Sequence, residues 1–149
     1  MNEQPMNQAA AAITEHAYKK LITACQQAYP DEACGVLVQD ARNGPLITDV
    51  IPIQNASPHR QRHFSFDPAE WIEVYYRIQK NRQTIVGMYH SHPATAAKPS
   101  PADLRGALPM DGCSYWIVSL TELNNPSLSC YQISTRNGLI PLMLAKIRV

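Results

Sequence analysis

The run Thr84 to Tyr89 is apolar or β-branched at nearly every position and passes without a break into His90-Ser91-His92-Pro93. A strand of that composition has no face to give to water, so it must lie inside a sheet covered on both sides. On an extended chain, residues two apart project to one face, so His90 and His92 aim at a common point while Ser91 faces away. Such a pair can grip one ion, or it can simply hydrogen-bond at a strand end.

The surrounding pattern supplies helices to cover that strand. Thr14 can cap a helix whose apolar positions Tyr18, Leu21, Ile22, Cys25 and Tyr29 share one stripe, ended by Pro30. Asp67-Pro68-Ala69-Glu70 opens a second as a capping box, with Trp71, Val74, Tyr75 and Ile78 on its buried side. Ser100-Pro101-Ala102-Asp103 repeats the cap-then-proline signature and starts a short third helix to about residue 108. Between these, Ala33 to Gln39 and Leu46 to Ile53 read as a hairpin around Asn43-Gly44. His63 to Phe66 alternates like a short strand. Three further strands follow at 114–120, 128–134 and 139–147, the last after Asn137-Gly138. Six or seven strands and three helices without a repeat predict a single α/β (α+β) domain, a mixed central sheet sandwiched by helices. Residues 1–12 are polar and Ala-rich and read as a flexible leader, with any helix confined to its end, which leaves 13–149 as the domain.

With 149 residues, 45% of them apolar, the chain can bury roughly two-thirds of its unfolded surface without a structural metal, so a metal would serve chemistry. Thirteen Lys+Arg balance twelve Asp+Glu, and no basic cluster exceeds Arg60 to His63, which argues against a nucleic-acid surface. The four cysteines are scattered, with no C-x-x-C pair, and read as buried thiols. Met1 to Ala12 lacks the basic start of a secretory signal, and no 18-residue apolar stretch offers a membrane span, so the sequence reads as soluble and cytoplasmic.

Pro93 ends the strand, and Asp103 lies at the start of a helix that must begin near that strand end. Its carboxylate is there either as a third ligand or as a charge favoured by the helix dipole. Two imidazoles and a carboxylate suit Zn²⁺ with a water in the fourth place. Hydrolysis of an amide also needs a non-ligand proton acceptor, for which a glutamate would serve.

His90-Ser91-His92-Pro93, six residues, Ser100, two residues and Asp103 resembles the H-[ST]-H-P-x6-S-x2-D signature of the JAMM (MPN+) metalloproteases, and Glu32 in Pro30-Asp31-Glu32-Ala33-Cys34-Gly35 resembles the family's upstream glutamate. The resemblance implies a cytidine-deaminase-like JAMM/MPN fold. It makes His90, His92 and Asp103 ligands of one Zn²⁺, Glu32 the general acid/base on the catalytic water, and Ser100 a hydroxyl that holds the oxyanion. Read singly, Ser100 is equally a helix cap and Glu32 a solvated charge. The short chain, and the unit around Asn55, Arg62, Phe64, Asp67 and Pro68, resembles the compact prokaryotic branch. Its members release cysteine from a ubiquitin-like sulfur-carrier protein, or trim such a carrier to its Gly-Gly end. The implied partner is therefore a carrier with a Gly-Gly tail, which can lie along a sheet edge as an added strand. The oligomeric state stays open, a homodimer included.

Other residues carry less. Cys34 has no base near it in sequence and reads as a small buried residue, as does Cys113, while His16, His59 and His63 read as solvated, with contact between the loop of His59 and His63 and a substrate as the lesser alternative. A non-haem Fe(II) oxygenase also uses two His and a carboxylate, but on all-β jelly rolls. A non-catalytic MPN-type metal-binding or interaction module would usually lack the metal motif present here. RadC-like proteins share the spacing but follow Pro with Ser-Gly, where this chain has Ala94-Thr95.

Overall fold

The computed structural model describes residues 10–40, 46–106, 113–134 and 138–148. Eight strands and three helices occur among them: β1 (Ala10–Thr14), α1 (Glu15–Ala28), β2 (Cys34–Asp40), β3 (Leu46–Ile47), β4 (Asp49–Ile53), α2 (Pro68–Lys80), β5 (Gln83–His92), α3 (Pro101–Gly106), β6 (Ser114–Ser119), β7 (Ser127–Ser134) and β8 (Gly138–Ile147). The strands form one mixed sheet in the order β3-β1-β8-β7-β6-β5-β2-β4. Only Thr48 separates β3 from β4, yet these two stand at opposite ends of that order. The sheet therefore curls until its ends meet, and the Thr48 amide donates to the Val38 carbonyl at 2.9 Å.

β5 is interior, antiparallel to β2 and parallel to β6. Its covering explains the doubly apolar sequence. Tyr89 packs into a core with Leu21 and Cys25 of α1, Leu37 and Trp116. Met88 faces the other way, toward Tyr115, Ile117 and Ile133. A third cluster seats Val74 and Ile78 of α2 on Val36, Val38, Ile51 and Ile53. Pro52 is tolerated because β4 pairs with β2 alone and needs no donor at that position.

The helix starts follow the sequence. Thr14 accepts from the Ala17 amide, and Asp67 accepts from the Glu70 amide with Pro68 in the first turn. The capping box of α2 is only half closed. The Asp67 amide is taken by the Gln54 carbonyl, and the Glu70 carboxylate turns instead to the Gln54 amide.

Four expectations change. Ala10 to Ala12, assigned to the leader, are strand, held between β3 and β8; this pairing is non-local and outweighs alanine's weak strand preference. Tyr29 lies past the end of α1 and is 45% exposed. Tyr75, on the flank of α2, is 44% exposed and packs its ring between Trp71 and Tyr76. His63 to Phe66 is reduced to a single bridge between Phe66 and Asn55. Both Asn-Gly turns fall partly or wholly outside the described residues. No helix among the described residues is long and apolar enough to cross a membrane.

Candidate metal centre

The end of β5 delivers the two imidazoles, with Nε2 atoms 2.9 Å apart. The loop after Pro93 then returns the chain so that α3 presents Asp103 to both. One carboxylate oxygen is 3.2 Å from His90 Nε2 and the other 3.1 Å from His92 Nε2. All three residues are buried. With Asp103 ionised, no protonation of the two rings satisfies every contact: if both Nε2 atoms carry protons for Asp103, two donors face each other at 2.9 Å, and if one does not, it presents a lone pair to a carboxylate. A shared cation resolves the conflict. Ligand atoms about 2.0–2.1 Å from one tetrahedral ion stand about 3.3 Å apart, close to the separations found. The donor set fits zinc.

The neighbours orient this set. His92 Nδ1 is 2.8 Å from the Ala96 carbonyl, which fixes the tautomer that leaves Nε2 with a lone pair. His90 Nδ1 is buried without a hydrogen-bond partner among the described residues. Its ring is held by aromatic contact, with Phe64 stacked at 4.7 Å between centroids and Tyr115 edge-on at 5.4 Å. Asp103 and Ser100 are bonded reciprocally: the Ser100 amide donates to the carboxylate at 2.8 Å, and the Asp103 amide donates to the Ser100 hydroxyl at 3.0 Å. Ser100 is thus a helix cap, and as an acceptor there it keeps its own proton for another partner. Burial pushes the Asp103 carboxyl up, but hydrogen bonds to His90 and His92, the charge of His90 and the Ser100 amide together hold it far below the usual range.

Glu32 sits between α1 and β2, only 6% exposed. Its carboxylate and the two imidazoles have ligand atoms within 4.8 Å of one another. Two carboxylates therefore face the histidine pair, Asp103 in direct contact with both rings and Glu32 within 4.8 Å of them, and either could join the imidazoles around an ion. Burial raises the Glu32 carboxyl to about 7; His92 opposes the shift and Asp103 adds to it. A cleft of about 400 Å³ opens onto this group, lined by Glu32, Arg62, Phe64, Phe66, Ala102 and Asp103.

Of the remaining candidates, His63 alone lines that cleft. The Cys34 thiol donates to the Ile53 carbonyl at 3.2 Å, and burial pushes it up to about 12, so it is no thiolate nucleophile. His16, His59 and His63 are exposed, and Cys113 is a buried free thiol. Sequence reasoning missed Tyr115, which only the cross-strand partner of Met88 could have revealed, and the tie made by Ser91. Ser91 Oγ accepts from the Ala33 amide at 2.7 Å.

The family model described as prokaryotic homologs of the JAB domain matches residues 14–133, a range that includes Glu32, His90, His92, Ser100 and Asp103. The CysO-cysteine peptidase of Mycobacterium tuberculosis is 32% identical over 117 residues, covering 76% of this chain and 75% of its own length. The desampylase of Haloferax volcanii is 32% identical over 74 residues, 50% of this chain and 52% of its own. A protein from Desulfitobacterium hafniense solved in solution is 31% identical, with a TM-score of 0.78 over 93% of each chain.

Proposed function

Because the chain belongs to the prokaryotic JAB-domain family, with its JAMM/MPN+ fold, we propose that it is a zinc-dependent metallopeptidase that hydrolyses the peptide or isopeptide bond after the C-terminal Gly-Gly of a ubiquitin-like sulfur-carrier protein. The observation that carries this reading is the three-way contact of His90, His92 and Asp103 beside a buried Glu32. His90, His92 and Asp103 would hold one Zn²⁺, which supplies Lewis acidity and lowers the pKa of a water from 15.7 to about 7.

The chain's own residues do the rest. Glu32, with its pKa raised by burial, takes a proton from the attacking water and returns it to the departing amine. Ser100, whose hydroxyl proton is free of the helix cap, donates to the carbonyl oxygen as charge develops there. Phe64 and Phe66 wall the cleft and keep water from the reacting groups. The relatives named for cysteine release and for desampylation support a small protein as substrate.

The deciding experiment incubates zinc-loaded protein with sulfur-carrier proteins extended beyond Gly-Gly and follows intact mass, with Glu32→Gln and a chelator as controls. Shortening to the Gly-Gly end by the native protein alone is the expected result. If zinc is bound and no extended tail is shortened, the metal-binding interaction module is the correct reading.

A further inference from the structure

Asn55 is a buried polar residue in a stretch that otherwise has the composition of a solvated loop. Every hydrogen-bonding valence of its amide is used. Nδ2 donates to the carbonyls of His63 at 2.9 Å and Glu32 at 3.1 Å, with a longer, shared contact to Arg60 at 3.4 Å. Oδ1 accepts from the amides of Ser57 at 3.0 Å and Ser65 at 3.1 Å. These partners lie in two places that matter to the site. One is the Glu32 peptide, whose amide also donates to the Arg60 carbonyl at 2.7 Å. The other is the loop carrying Phe64, the ring stacked on His90.

We infer that Asn55 is a positioning residue: its one amide latches the 56–65 loop to the Glu32 peptide, and so sets where Glu32 and Phe64 stand relative to the histidine pair. The inference rests on the metallopeptidase reading only for its catalytic consequence. The latch itself is a statement about hydrogen bonds. Neither segment has a ladder of its own there: the backbone ties are the isolated Asn55–Phe66 bridge and the Glu32-to-Arg60 bond, and Glu32 precedes β2. A side chain other than Asn at this position cannot both donate to opposed carbonyls and accept from two amides in so short a span. Displacement of an acid/base group by about 1 Å costs about a hundredfold in turnover, whereas binding of a tail elsewhere in the cleft is spared.

The test has one arm on the native protein and two on variants. Amide exchange of the native protein should show Ser57 and Ser65 protected alongside the β2 amides; exchange of both at the rate of an open loop overturns the latch without any mutant. In Asn55→Ala, and in Asn55→Asp, which keeps the two accepting bonds but sets a carboxylate oxygen against the carbonyls of Glu32 and His63, trypsin should cut after Arg60 and Arg62 about tenfold faster than in the native protein. Ile13→Ala, a core truncation in β1 away from the loop, serves as the control for a general loss of stability. Equal acceleration in the control, or none in the Asn55 variants, refutes the proposal. If the native protein hydrolyses extended carriers, the Asn55 variants should keep their zinc and lose about tenfold or more in kcat with KM changed less than about twofold, while Ile13→Ala keeps its kcat. Loss confined to KM counts against the latch. Absence of turnover in the native protein defeats the peptidase reading and leaves the exchange and cleavage arms to judge the latch.

Discussion

Glu32 gives the sharpest test of the site because its burial has a sign and a size. In the metal-free protein its carboxyl titrates at about 7, against 4.5 for the unhindered group, chiefly because burial penalises the charged form. Between those values the folded chain holds a proton that the unfolded chain has released. Stability from this group is therefore complete below pH 4.5 and is lost as pH rises through 7. Integrated from pH 5 to pH 8, the loss is about 2 kcal/mol. His92, whose pKa is raised, loses stability in the same direction, whereas buried His90, whose pKa is lowered, gains. Asp103 is depressed, so its contribution disappears only in acid, below this window. The comparison that isolates Glu32 is therefore between native protein and Glu32→Gln, both stripped of metal, by urea unfolding at pH 5 and pH 8. The native protein should lose about 2 kcal/mol more than the variant over that interval, and saturating zinc should abolish the difference, because a cation nearby favours the carboxylate. Parallel pH dependence in the two chelated proteins would show that Glu32 is hydrated, and its assignment as a base held ready by burial would fall.

Removal of a ligand should act differently from removal of the acid. His92→Ala and Asp103→Asn are expected to leave the protein with less than a stoichiometric zinc ion by elemental analysis, while Glu32→Gln retains it. Zinc at about a thousand times its dissociation constant should stabilise the native fold by about 4 kcal/mol in thermal unfolding, and the Asp103→Asn variant should lack that response. Ser100→Ala should slow turnover by about a hundredfold through loss of an oxyanion donor and lower stability by about 1 kcal/mol through loss of the cap, with zinc content unchanged. Cys25 and Cys34, both pushed up to about 12 by burial, should react with a disulfide reagent at pH 8 about a thousandfold more slowly than after unfolding.

The parts legible from sequence were those decided by near neighbours. The caps at Thr14, Asp67 and Ser100 are local hydrogen bonds, and the His90–His92–Asp103 triangle spans a strand end, one loop and one helical turn. The strand Ala10–Thr14 was illegible because nothing in three alanines demands extension; β3 and β8 impose it from elsewhere in the chain. The two tyrosines misplaced in buried stripes sit where a helix ends or narrows, so that α1 buries only Ala17, Leu21 and Cys25, and α2 only Val74 and Ile78. Glu32 lies far from the histidines in sequence and was found by resemblance alone. Asn55 belonged to that resemblance too, but its role as a hub was hidden, because a polar loop that folds on its own amide looks in sequence like one that folds on water.

The residue between the two histidines shows how Glu32 is brought to the histidine pair. Ser91 points to the face opposite the imidazoles and is fully buried there. Its hydroxyl accepts from the Ala33 amide, and its own amide donates to the Ala33 carbonyl at 3.0 Å. In the same register Cys34 stands opposite His90. The period-two alternation of β5 therefore does two jobs at once: one face delivers both imidazoles, and the other grips the residue next to Glu32. A threonine at this position preserves the acceptor; an alanine leaves the Ala33 amide without its hydroxyl partner in the core, at a cost of about 1–3 kcal/mol. The distance from Glu32 to the histidines is thus a property of paired backbones, held by Ser91 from beneath and by Asn55 from the loop side.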